Sequence, residues 1–193
     1  KSIKLYFFSI LKLFFLSLRN LYFKSNYYNN KLITFIPNRI FYYPSTYLSA
    51  SLTTVSKDFY KITSIAPELL WKINAKDKLK FENIHNFLWL TKLDRKNNKD
   101  ITKNIIESWI NVFPNYDPNA WEMEITARRI IAWSSNTDIT LENSDKNYKE
   151  KFFTSLIKQS NFLSKNLNIL FYEPSKIICC SAIILSGMIF GGN

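Results

Sequence analysis

Apolar positions recur at helical spacing through most of the chain beyond its first third. Ile101, Ile105, Trp109 and Val112 fall three and four apart, one face of a helix that Asp100 can cap and Pro114 stops. Upstream, Phe81, Ile84, Leu88 and Trp89 share a stripe over residues 81–93, which predicts a single helix ended by the polar stretch 94–99. Asp117 followed by Pro118 reads as an N-cap and first turn. It opens a helix through about Ser135 that carries Met123, Ala127, Ile130, Ile131 and Trp133. After a polar loop over 136–144, residues 145–169 gather Phe152, Phe153, Leu156, Leu163 and Leu167 on one side. Glu173 and Pro174 then begin a last helix. Its run from Ile177 to Phe190 is apolar on nearly every side, which predicts a helix buried all round.

The N-terminal part reads differently. Residues 5–18 are apolar except for Lys12 and two serines, short of the roughly 20 apolar residues a membrane span needs. Arg19 and Asn20 follow, so no small-residue cleavage site is present, and an amphipathic or core-packed helix is expected. Residues 24–57 mix aromatics with Asn29, Asn30, Pro37 and Pro44, which suits an extended arm over a helical body, with helical order resuming near residue 58. Two regions result: a basic aromatic arm over 1–57 with one apolar helix, and a helical unit over 58–193.

Composition sharpens the fold class. Apolar residues make up 47% and charged residues 21%, enough to bury a core and to exclude disorder. The three glycines, Gly187, Gly191 and Gly192, all lie near the end, so tight hairpins and phosphate-cradling loops have nothing to build on earlier. The expectation is all-α. Amphipathic helices alternating with a fully apolar one suggest an incomplete α/α toroid of helical hairpins with an irregular basic arm, although a simple bundle also fits the periodicity. The chain begins at Lys1 and ends just after an apolar run, and reads as a fragment of a longer protein.

Charge is concentrated in the arm. The net charge is +11, and residues 1–57 hold eight basic side chains (Lys1, Lys4, Lys12, Arg19, Lys24, Lys31, Arg39, Lys57) with no acid before Asp58. Such a field attracts anionic lipid, acidic polysaccharide or nucleic acid without choosing among them. No recognised motif supports nucleic acid, so none is expected as a partner. An interfacial helix over residues 1–24 on an anionic membrane is a second reading of the chain, as a non-catalytic peripheral or scaffold module. Cys179 and Cys180 are adjacent inside an apolar run and cannot readily bridge, so they read as small core residues. His85 is the one histidine, which makes no metal site, and no cofactor is called for.

Within Phe81–Phe190 several pieces occur in order: His85-Asn86-Phe87-Leu88-Trp89-Leu90, then Trp109-Ile110, then Tyr116-Asp117-Pro118-Asn119-Ala120-Trp121, then Thr126-Ala127-Arg128-Arg129-Ile130-Ile131-Ala132-Trp133. This series resembles the N-terminal helical domain of the heparinase II/III-like polysaccharide lyases, in particular their shorter bacterial branch, where a DPxAW motif precedes TARRLIAW. The resemblance implies eliminative cleavage of an acidic, uronate-containing polysaccharide, with this span forming one wall of the sugar groove. It also implies that the reacting groups, an Asn with Tyr and His residues, lie largely beyond it, alongside a β-rich C-terminal domain. A bacterial protein is implied, periplasmic or cytoplasmic.

On that resemblance His85, Asn119, Trp121, Arg128 and Arg129 are the candidate substrate-binding residues, and none is a candidate catalyst. Each has an ordinary structural explanation beside it. His85 on a helix can simply be hydrogen-bonded, and the tryptophans at helical spacing suit a core, while Trp121 at a loop-to-helix junction suits either role. Arg128 and Arg129 sit about 100° apart on a helix, so only one can face a groove. The resemblance implies an arginine four residues before a helix tryptophan and four after a glutamate; Trp133 then points to Arg129, which is favoured, and Glu124 points to Arg128, with which it can also pair along the helix.

Overall fold

The computed structural model describes residues 2–37, 39–52, 62, 65–170 and 172–191. Among these residues the chain is helical and contains no strand, in agreement with the all-α expectation. The α-helices are α1 (Ser2–Lys24), α2 (Asn26–Lys31), α3 (Thr46–Ser51), α4 (Pro67–Leu70), α5 (Lys78–His85), α6 (Lys99–Val112), α7 (Met123–Ser135), α8 (Thr137–Thr140), α9 (Lys146–Asn166) and α10 (Glu173–Phe190). Short 3-10 segments cover Leu88–Lys92 and Leu167–Ile169.

The helix buried nearly all round is α7, and not α10 as its apolar run had suggested. Helix α10 packs most extensively on α7, and α9, α3, α5 and the 3-10 segment Leu88–Lys92 surround the rest of it. Small side chains at Ala127, Ala132, Ser134 and Ser135 let these neighbours approach closely. Helix α10 turns Cys179, Ala182, Ser186 and Ile189 inward and leaves Ile177, Ile184 and Met188 exposed. Hydropathy reports what a helix tolerates, whereas burial depends on how many neighbours the fold supplies.

Local polar chemistry moves several expected boundaries. The single helix expected over 81–93 is broken at Asn86, whose Oδ1 accepts the Leu88 N–H at 2.9 Å and so competes with the helical ladder. Phe87 then adopts a left-handed conformation at φ 57°. That conformation is costly for a bulky residue, and it is held by packing against the rings of Trp71, Trp89, Trp109 and Trp133. Helix α7 starts later than Asp117: the Asp117 carboxylate accepts from the Asn119 and Ala120 N–H groups to form a turn, and Glu122 caps the helix by accepting from Ile125 N–H. Helix α6 begins one residue before Asp100, which lies in the first turn without capping it, and Ile101 and Val112 are exposed while Thr102, Ile105, Ile106, Trp109 and Ile110 are buried. The loop over 136–144 contains α8. Asp145 caps α9, accepting from Tyr148 N–H at 2.9 Å.

The arm lies over the body through polar ties, and it contains α2 and α3 where an extended path was expected. Buried Asn29 donates to Phe23 O and accepts from Tyr116 N–H. Phe41 N–H donates to Ile189 O, Asn136 donates to Ser49 Oγ, and Asn161 donates to Leu32 O. The expected return of helical order at residue 58 falls outside the described residues; among the described residues that follow, the first α-helix is α4.

Candidate functional site

Helix α7 places its two adjacent arginines on different sides, as the 100° step requires. Arg129 enters the core and has no exposed surface. Its Nε donates to Gln159 Oε1 of α9 at 2.7 Å, Nη1 donates to the carbonyls of His85 and Ala120 at 2.9 Å each, and Nη2 donates to Thr126 Oγ1 at 3.2 Å. The guanidinium carbon lies 4.0 Å from the centroid of a Trp109 ring. One planar cation therefore ties together the end of α5, the turn before α7, and α9, with an indole face taking part of the charge. Burial pushes the guanidinium well below its ordinary pKa, and Glu122 partly opposes that shift.

His85 belongs to the same cluster. Its ring stacks on Phe81 with centroids 3.9 Å apart, and its Nδ1 accepts from the Trp109 indole N–H at 3.2 Å. That bond makes Nε2 the protonated nitrogen of a neutral ring, and Nε2 is buried without a partner. Burial, reinforced by the nearby Arg129 charge, lowers the His85 pKa to about 3. Trp133 meets Trp109 edge to face at 5.5 Å and stacks on Phe152. Trp121, beside the Ala120 carbonyl that Arg129 grips, meets Phe162 edge to face at 5.7 Å.

These placements correct three of the five nominated positions. His85, Trp121 and Arg129 are 0%, 1% and 0% exposed, so none of them lines a groove that a sugar could enter. The tryptophan spacing singled out the arginine that is special, but the direction is inward: the helix face shared with Trp133 is the core face. Arg128 points outward and is half-buried. Its Nε and Nη2 donate to Glu124 Oε1, its Nη1 donates to Leu52 O, and Glu124 accepts in turn from Ser175 Oγ. Hydrogen bonds to Ser175 and Arg128 hold the Glu124 carboxyl below its ordinary pKa against the opposing effect of burial. Asn119 sits exposed on the turn before α7. Because the Arg128–Glu124 pair is partly solvated, Arg128→Ala is expected to lower stability by about 1 kcal/mol or less in a urea titration.

Neither of two surface grooves formed by described residues contains a nominated residue. One of about 460 Å³ runs between the end of α6 and α9. Its lysines are engaged, Lys151 with Glu107 and Lys158 with Pro114 O and Asn115 Oδ1. The other, about 510 Å³, is lined by hydroxyls from Thr34, Ser160 and Ser186 beside Phe35 and Phe190 and carries no charged side chain. Among the described residues no three His, Cys, Asp or Glu side chains group as metal ligands. Cys179 is buried, donates to Met123 O, and has its thiol pushed up to about 12 by burial, while Cys180 is half-buried.

Gln159 is the member of the cluster that the sequence reading missed. Its signal was a polar side chain one turn from Leu156 and Leu163 and two turns from Phe152 on the apolar face of α9, a position that demands a buried partner. No protein-family model matches the chain, and neither curated proteins nor solved structures give a match.

Proposed function

We propose that this chain is the helical part of a polysaccharide lyase that cleaves uronate-containing acidic polysaccharide by β-elimination, its helices belonging to an incomplete α/α toroid. One observation carries the reading. The residues of the sequence resemblance, spread from His85 to Trp133, meet around a single buried guanidinium through hydrogen bonds and ring contacts. A likeness at positions that jointly build a core supports a common helical framework better than one at scattered surface positions.

On this reading the chain supplies framework, and the arm supplies a positive field that draws in the polyanion. The sugar-facing candidates reduce to Asn119 and the outward edge of Arg128. The reaction removes the C5 proton of the uronate, forms the C4–C5 double bond and expels the oxygen at C4. It needs a group that neutralises the carboxylate and a Tyr or His base near its working pKa. His85 is sealed away from any substrate and is not that base; the resemblance implies that the reacting groups lie largely beyond this span.

The test is an assay of the full-length protein against heparan-type, alginate-type and other uronate polymers, following the ultraviolet absorbance of the unsaturated uronate product. Growth of that signal with at least one polymer is expected. No signal across the panel overturns the proposal.

A further inference from the structure

Helix α1 is turned inside out relative to a helix that packs on a soluble core. Phe7, Leu13, Phe14, Phe15, Leu18 and Leu21 are exposed, several by more than half of their surface. Toward the body it presents Arg19, Asn20 and Phe23: Asn20 Oδ1 accepts from the Tyr116 hydroxyl, Phe23 is buried, and the Arg19 Nε is buried without a partner. At 100° per residue the six exposed side chains span roughly 200° of the helix circumference, about twice the stripe that an ordinary core-facing helix buries.

We propose that α1 docks the protein on an anionic lipid surface, its outer face inserted among the acyl chains near the headgroups. Two features select a bilayer over a protein groove. A partner helix covers one seam, whereas a lipid phase wraps the whole accessible arc. The arm also carries eight basic side chains and no acid through residue 57, which complements anionic headgroups. Lys24, exposed at the end of α1, and Tyr22 and Tyr27 beside it are placed to meet the headgroup layer. Arg19 and Asn20 keep the polar side of the helix on the protein, so the body rests above the membrane plane. This inference stands apart from the lyase reading.

The test is flotation of the full chain with phosphatidylglycerol–phosphatidylcholine vesicles and with pure phosphatidylcholine vesicles. The wild type is expected to float with the anionic vesicles, and F14E/L18E to lose about tenfold or more in partitioning while keeping its circular dichroism spectrum and melting temperature. A second variant, Leu13→Trp, is expected to shift its added emission to shorter wavelength on binding, which tests insertion even if the double variant folds poorly. Equal binding of F14E/L18E and wild type, with no emission shift, reduces the interaction to surface charge and overturns the proposal. Absence of wild-type flotation also overturns it, and a dimer in sedimentation equilibrium that F14E/L18E dissociates then assigns the face to a second copy of the chain.

Discussion

Replacing Arg129 with methionine is expected to lower the unfolding free energy by about 3–5 kcal/mol, the largest effect of any single change considered. Methionine fills much of the space and removes a buried cation, which by itself is favourable. It also leaves the His85 and Ala120 carbonyls and Gln159 Oε1 without their donor inside the core. Each orphaned acceptor costs roughly 1–3 kcal/mol, so the loss outweighs the relief. Arg129→Lys is expected to fare little better, because a point charge cannot reach acceptors on three sides or lie flat on the Trp109 ring. For a chain of this size the melting temperature should fall by on the order of 10 °C. Adding Gln159→Leu to Arg129→Met should recover part of the loss, since it removes one stranded acceptor. Thermal melts of the single and double variants check both points, and a melt of Arg129→Met unchanged from wild type would contradict the assigned role.

Acidification is expected to destabilise the protein through His85 before most carboxylates titrate. The folded-state pKa is about 3 against an ordinary value of 6.5. Between those values the unfolded chain binds a proton that the folded chain refuses, so stability rises with pH across the window. The contribution is fully present above 6.5 and is lost as pH falls toward 3. It amounts to about 2 kcal/mol lost by pH ~5 and ~5 kcal/mol by the bottom of the window. His85→Gln has no imidazole to protonate. It should be less stable than wild type at neutral pH, since the ring stacks on Phe81 and accepts from Trp109. Its stability should nevertheless decline less steeply between pH 6.5 and 4. Urea titrations at several pH values give the slope directly, and equal slopes for the two proteins would sink the assignment.

Helices with a clean apolar stripe were legible from residues alone, although the caps expected at Asp100 and Asp117 are not the N-caps of α6 and α7. Helix α9 shows the stripe best, with aromatic and leucine side chains recurring along one face. The break after α5 was not legible, because Asn86 interrupts a stripe that otherwise continues through Leu88 and Trp89 and only the side-chain bond to Leu88 N–H reveals it. The expected all-round burial of α10 fails for a related reason. Helix α10 has more apolar side chains than its neighbours cover, while α7 is the enclosed helix although Thr126, Arg129 and Ser134 are polar. The candidate site shows the same limit. Spacing picked Arg129 over Arg128, but an arginine among tryptophans fits a sugar groove or a core hub equally well by composition. What separates the two is Gln159 and the His85 carbonyl, contributed by elements far away in the chain, together with the Ala120 carbonyl from the turn before α7.

Hydrogen exchange of the arginine side chains, followed by NMR at the Nε–H groups, bears most directly on the hub. The Arg129 Nε–H, bonded to Gln159 and fully enclosed, should exchange orders of magnitude more slowly than that of a solvated arginine and should persist in deuterated solvent after the Arg128 signal has gone. Equal, rapid loss of the two signals would mean that Arg129 faces water, and the buried cluster that joins His85, Trp109, Gln159 and Ala120 would not exist.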